Sequence, residues 1–355
     1  MKKILLTLFV FVLLPVFSVH AEGLILSKSS TQIKASITEI TTVIPEDNGL
    51  NTYLFRAKTT SNEIVDVSTE DSSPDGIPIK LVVGDAVSLQ KIEGTPPQIY
   101  FEDIIRTNAL VWIAILFIAL TFVIGLRRGF SSLIGLGITF AVIFVYIFPQ
   151  ILRGGDVILT TVMGSIVILA VNMYVGHGFR KESFFAFISA IIGFLFVLLF
   201  AYLFSFWTKL SGTGSEDAVL LIGDAPVHFT TIQLFLAGVI LGAVGVLDDI
   251  TISQTEIVHE LAVTDPTLSR KQLFLRSMRI GRHHIASTVN TLVLVYAGAS
   301  MPVLLLFLYH SVNTISFLNS EVVTEEIVRT ISGTTALILC VPISTLIATF
   351  AYKRK

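Results

Sequence analysis

Hydrophobic and polar positions change their pattern twice along the chain. Lys2 and Lys3 precede an apolar run over residues 4–17 that ends in Ser18, Val19, His20 and Ala21. A charged start, a short apolar stretch and a small-residue cleavage site describe a signal peptide over residues 1–21. An uncleaved anchor is the other reading, although the run is shorter than the ~20 residues that a spanning helix needs. Over residues 22–105 the period is two: Ile33, Ala35, Ile37; Tyr53, Phe55, Ala57; Ile77, Ile79, Leu81, Val83. Turn-forming residues at 45–49, at 72–76 and at Gly84-Asp85 separate these stretches. Alternation between turns predicts a small all-β domain, a five- or six-stranded barrel or sandwich, with OB and SH3-like topologies both open. Pro96 and Pro97 then stiffen the approach to the rest of the chain.

Beyond residue 105 the alternation gives way to seven apolar runs, at residues 109–126, 130–152, 157–176, 183–207, 232–247, 285–309 and 327–352. Each suits a helix that satisfies its own backbone hydrogen bonds inside a bilayer. The fifth is short and reaches spanning length only if its helix continues through Asp248 and Asp249. The expected fold class is therefore an α-helical polytopic membrane protein with seven transmembrane helices and a small extracytoplasmic all-β N-terminal domain. Its parts are residues 1–21, 22–105 and 106–355.

Composition points the same way. Of 355 residues, 53% are hydrophobic, 26 are Phe and 14% are charged, against roughly 25% charged in a globular domain. Residues 22–105 carry 13 acids and 6 bases, and residues 106–355 carry 13 acids and 16 bases. Neither part has the basic excess of a nucleic-acid binder. Cys340 is the only cysteine, which excludes an intrachain disulfide, a cysteine-based metal site and a redox pair. With the β domain outside, the inner loops hold twelve Lys and Arg, among them Arg127, Arg180, Arg270 and Lys355. The outer loops hold only Arg153, Lys209 and Arg329. Retention of positive charge in the cytoplasm is expected to place the β domain outside and the C-terminus inside.

Polar residues inside spans are the candidates for chemistry. On the fifth span Gly238, Gly242, Gly245 and Asp249 fall at i, i+4, i+7 and i+11, one narrow stripe of a helix. Glycines admit a close neighbour, so this stripe is expected to aim Asp249 into a helix contact, with Asp248 about 100° away. Ser287, Asn290, Thr291 and Gly298 form a stripe on the sixth span, and Thr161, Gly164, Ser165 and Asn172 one on the third. Three stripes suggest a shared polar interior. In it Asp248 or Asp249 would take a proton or cation, with oxygens of Asn290, Thr291, Ser287 and Asn172 around it. The plain structural reading stands beside this one: hydroxyls and glycines pack helices, and the acids pair with Arg279 or Arg282.

His177, His259, His283 and His284 fall in segments expected at the inner side, but without metal-ligand spacing they are ordinarily just solvated. Residues 265–281 start with Asp-Pro-Thr and mix Leu268, Phe274 and Leu275 with Arg270, Lys271, Arg276 and Arg279. That pattern predicts a basic amphipathic interfacial helix capped by Asp265. No zinc-protease, serine-hydrolase or phosphate-loop motif is present in the sequence, and no cofactor is expected.

The segment Gly242-Ala-Val-Gly-Val-Leu-Asp-Asp-Ile-Thr-Ile-Ser-Gln254, the stretch Pro266-Thr-Leu-Ser-Arg270 and the segment Gly281-Arg-His-His through Gly298 together resemble the YibE/F family of bacterial multi-pass membrane proteins. The resemblance covers about residues 100–350. It departs from the family pattern at His283, where the family places an acidic residue after Gly-Arg. It implies the architecture and the weight of the segments holding Asp248, Asp249, Ser253 and Gln254 and holding Arg282, His283 and His284. It implies no mechanism. The expected function is a permease or exporter of a small solute or cation in the lipid bilayer. The alternative is a membrane scaffold whose β domain binds an envelope partner.

Overall fold

The computed structural model describes residues 30–45, 51–70, 81–92, 98–224, 229–310 and 313–353. The expected signal peptide or anchor lies outside these residues. The chain forms two compact units that divide between Val123 and Ile124.

In the N-terminal unit five strands, β1 (Ser30–Pro45), β2 (Asn51–Thr59), β3 (Ile64–Glu70), β4 (Ala86–Ile92) and β5 (Gln98–Ile104), close into a barrel in the order β1-β2-β3-β5-β4. This is the order of OB-type barrels, one of the topologies that the alternation left open. Closure depends on β1, whose 16 residues pair with β4 at one end and with β2 along the other. Irregularities after Ile37 and Ile40 bend it between the two. Alternate side chains, among them Ile37, Phe55, Ala57, Val67, Val87 and Leu89, fill the interior, and Phe101 meets Phe55 edge-on at 6.2 Å.

The helices are α1 (Thr107–Leu126), α2 (Arg128–Leu152), α3 (Val157–Gly176), α4 (Lys181–Thr208), α5 (Glu216–Asp224), α6 (Thr231–Thr264), α7 (Arg270–Ala299), α8 (Met301–Tyr309), α9 (Thr314–Leu318) and α10 (Glu321–Tyr352). Among the described residues six are long and apolar enough to cross a bilayer, or seven if α7 with α8, bent by 60°, is one span. α6 runs through Asp248 and Asp249, which gives the short fifth run its length. Leu126, at φ 49° and ψ −128°, breaks the chain between α1 and α2.

One expected element is corrected. The basic segment is no separate helix capped by Asp265, because it forms the first turns of α7. Ser269 and Gln272 make a reciprocal capping box there: the Gln272 amide donates to Ser269 Oγ at 3.3 Å and the Ser269 amide to Gln272 Oε1 at 2.9 Å. Two satisfied backbone donors set the start at Ser269. Asp265 and Pro266 are left in the turn after α6.

α4, α6 and α10 form the centre of the bundle, with α3 against α6 and α7 against α10. Gly193 on α4 marks a close approach: a Cβ there would stand 2.7 Å from Cys340 Sγ and 2.9 Å from Leu247 Cδ2. Gly164 on α3 likewise receives Ile147 of α2. Both of these helices contain a π-helical stretch, Val142–Ile147 in α2 and Asn172–Gly176 in α3.

Candidate functional site

The buried face of α6 is set by Leu247, Ile250, Thr251, Gln254 and Val258, which recur at i, i+3, i+4, i+7 and i+11. Asp248 is about 100° from Leu247 and Asp249 about 200°, so the two carboxylates part company. Asp248 is half-buried and its Oδ1 is buried with no hydrogen-bond partner, whereas Asp249 is exposed. The side chain of Asn172 stands beside the Asp248 carboxylate. Asn172 is the first residue of the α3 π-helical stretch, where the extra residue per turn swings a side chain off the ordinary helical register. Its Oδ1 accepts a hydrogen bond from Thr139 Oγ1 of α2 at 3.2 Å. One turn earlier on α2, Gly135 leaves room: a Cβ there would lie 3.1 Å from the same Asn172 oxygen. Asp248, Asn172 and Thr139 thus form a polar group drawn from three helices.

Several expectations are overturned here. The glycine stripe carries a close approach at one end only: Gly242 and Gly245 are exposed, and a Cβ on Gly245 would meet nothing within 4 Å. Gly238 gives space to Arg329 Nη1, and Gly242 borders a crevice shared with Tyr296, Leu292 and Thr330. The stripe lies on the side of α6 opposite Leu247, so it takes Asp249 outward with it. On α7, Leu273, Ser277 and Gly281 are buried, and Ile285 and Leu292 pack on the core. Asn290 is two residues from Leu292, about 200° round the helix, and Ser287, Asn290, Thr291 and Gly298 are all exposed. The three stripes therefore share no interior. No ion pair joins Asp248 or Asp249 to Arg279 or Arg282 among the described residues. Arg282 and His283 are exposed and His284 is half-buried. No three His, Cys, Asp or Glu side chains among the described residues could hold a metal ion together.

Gln254 does more than its place in a motif announced. Its side chain is 1% exposed and donates from Nε2 to Thr345 Oγ1 at 2.8 Å and to the Ser277 carbonyl at 3.2 Å. Gly281 provides the niche, since a Cβ there would stand 2.9 Å from Gln254 Oε1 and 2.8 Å from Val341 Cγ1. Two segments far apart in the sequence, one around Gln254 and one beginning at Gly281, meet at this point, with α10 as the third wall. Ser253, its neighbour, is half-buried.

That junction joins two of the segments that resemble the YibE/F family. The family model described as YibE/F-like protein matches residues 113–354. The chain belongs to this family. No curated protein and no solved structure matches the chain. The match covers the whole helical bundle of this YibE/F-like protein from within α1 onward and leaves the barrel outside it.

Sequence reasoning missed Thr139 and Gly135, because nothing in the α2 run separates them from helix-packing residues. It also missed the group at the far end of α6. There Tyr352 Oη donates to Glu182 Oε1 at 2.9 Å, His259 Nδ1 lies 3.5 Å from the same oxygen, and the His259 and Tyr352 rings are 4.8 Å apart. Glu182 lies in the first turn of α4, His259 near the end of α6 and Tyr352 at the end of α10, so only the antiparallel packing of α4 against the other two brings them together.

Proposed function

We propose that this YibE/F-like membrane protein is an ion-coupled permease or exporter of a small solute or ion, with Asp248 as the residue that takes up and releases the coupling ion. The observation that carries this reading is the Asp248 carboxylate, inside a spanning helix with a buried, unpartnered oxygen and with Asn172 beside it at a π-helical break. A carboxylate left unpaired in that setting is costly and is ordinarily kept for function. π-helical stretches often mark functional positions. Asp249, exposed and on the opposite side of Leu247, has the lesser role. The distribution of Lys and Arg supports an inner-membrane location with the barrel outside and the C-terminus in the cytoplasm. Residues 1–21, 22–105 and 106–355 then act as export signal or anchor, external domain and membrane domain.

The test is ion and solute flux in sealed vesicles containing the purified protein. Asp248→Asn keeps the shape and removes the charge, and is expected to insert normally and lose ion-dependent flux at least tenfold, with Asp249→Asn near the parent. Undiminished flux in Asp248→Asn would sink the reading. A second reading, a scaffold whose barrel binds an envelope protein, is favoured by the exposed Ser287, Asn290 and Thr291 on α7. It predicts no flux in any variant.

A further inference from the structure

Two rows of residues run along the outer sides of α6 and α7. On α6, Gly242, Gly245, Asp249, Glu256 and Glu260 fall at i, i+3, i+7, i+14 and i+18, within about 60° of one another. On α7, Arg276, Arg279, His283, Ser287 and Asn290 fall at i, i+3, i+7, i+11 and i+14, within about 80°. Glu256 is half-buried and the others are exposed. The first row is acidic, whereas the second carries bases, a hydroxyl and an amide. A carboxylate or an amide left open to hydrocarbon is costly, so Asp249 and Asn290, well inside their helices, need a protein cover.

The rows lie side by side. α6 and α7 both pack on α10, each with its row turned from the packed side: Asp249 stands about 200° from Leu247, and Asn290 about 200° from Leu292. Gly242 borders Tyr296 across the seam between the two helices. The rows also share their depths. Gln254 is level with Ser277 and Gly281, and Gly242 with Tyr296. Counted along both helices from these levels, Glu256 comes within about a turn of the depth of Arg279, Asp249 of that of Ser287 and Gly245 of that of Asn290. Inside one chain the rows do not pair. Among the described residues no ion pair joins Asp249, Glu256 or Glu260 to a base, or Arg279 or His283 to an acid, while Arg276 holds Asp265 at 3.3 Å. Residues 109–126 of α1 include no charged side chain that could cover either row.

We infer that this face receives a second copy of the chain, related by a two-fold axis along the membrane normal. Such an axis keeps every residue at its depth and lays α6 of one copy on α7 of the other, twice over. Glu256 of one copy then meets Arg279 of the other, and Asp249 receives hydrogen bonds from Ser287 and Asn290. Gly242 and Gly245 let the opposing helix come close. Charges that match across an interface set its register, and here one face carries both the acids and the bases, so the surface is complementary to itself. Anionic lipid would suit the basic row and repel the acidic one beside it. The inference goes beyond the transport reading and does not depend on it.

Cross-linking in the membrane tests the face without any transport assay. Cys340 is the only cysteine, so Cys340→Ala provides the background for two co-expressed copies with different tags, one carrying Gly245→Cys and the other Asn290→Cys. Mild oxidation is expected to join the two tags at least roughly ten times faster than in a control that pairs Asn290→Cys with Leu195→Cys, exposed on α4. Equal rates overturn the proposal. Glu256→Arg in both copies sets like charges against Arg279 and should slow the cross-link roughly tenfold, and adding Arg279→Glu should restore it. A Glu256→Arg pair that cross-links at the parental rate, or a double variant that stays slow while each chain folds normally, overturns the match of the rows. The unsubstituted protein supplies a check that no misfolded variant can spoil: light scattering in lipid nanodiscs should find two chains per particle, and one chain per particle overturns the proposal.

Discussion

The junction at Gln254 offers the sharpest energetic test of the bundle. Gln254→Leu fills a similar volume, so the loss is confined to the hydrogen bonds to Thr345 Oγ1 and to the Ser277 carbonyl. Each is worth about 0.5–1.5 kcal/mol net, and Oε1 already lacks a partner, so its removal costs nothing further. The expected destabilisation is about 1–3 kcal/mol. Thr345→Val removes the acceptor and preserves the β-branched shape. A double-mutant cycle on the pair then isolates the 2.8 Å bond. Side-chain hydrogen bonds between membrane helices give couplings of about 0.6 kcal/mol on average and up to about 1.7. The short distance and full burial place this one in the upper part of that range. Equilibrium unfolding in mixed micelles, followed by far-ultraviolet circular dichroism, measures all four corners. A coupling within about 0.3 kcal/mol of zero, or a Gln254→Leu variant more stable than the parent, would refute the view that this contact holds α6, α7 and α10 together.

Two further expectations concern the helix ends. Gly212 has φ +82°, and a Cβ there would stand 2.3 Å from the Ile232 amide nitrogen. Glu321 Oε1 meanwhile accepts the Ser211 and Gly212 amides at 2.6 and 3.0 Å. Gly212→Ala should therefore cost at least about 2 kcal/mol through left-handed strain and overpacking; an unchanged melting temperature would show that this loop is not fastened to α6 and α10. Asp265, in the turn before α7, is held below the ordinary carboxylate range, first by the Thr267 hydroxyl at 2.5 Å and also by Arg276. A lowered value favours the folded state above the unfolded carboxylate value of about 4 and loses that contribution as pH falls through the folded one. Asp265→Asn should thus flatten the loss of thermal stability below about pH 4, and an unaltered pH profile would contradict the assignment.

The sequence by itself determined the large divisions. Alternation over residues 22–105 requires strands with one face inside, and the apolar runs after residue 105 require helices, because only helices and closed barrels satisfy their backbone hydrogen bonds in hydrocarbon and long runs without alternation do not suit a barrel. It also marked the segments holding Asp248, Gln254 and Gly281. What it could not determine was which side of each helix is covered. The glycine stripe on α6 and the polar stripe on α7 satisfy the same spacing rules as an interior, yet Gly242, Gly245 and Asp249 of the first and all four residues of the second are exposed. Leu247, Gln254 and Val258 on one helix, and Leu273, Gly281 and Leu292 on the other, took the packed sides instead. Small residues fit a helix contact equally well at Gly193, Gly242 or Gly281, and only the positions of the neighbouring helices decide which of them is used. The π-helical turn that carries Asn172 toward Asp248 is likewise a tertiary decision. Periodicity fixes which residues share a face, whereas the identity of the buried face depends on the summed packing of several helices, a quantity spread over the whole bundle and held by no single stretch of chain.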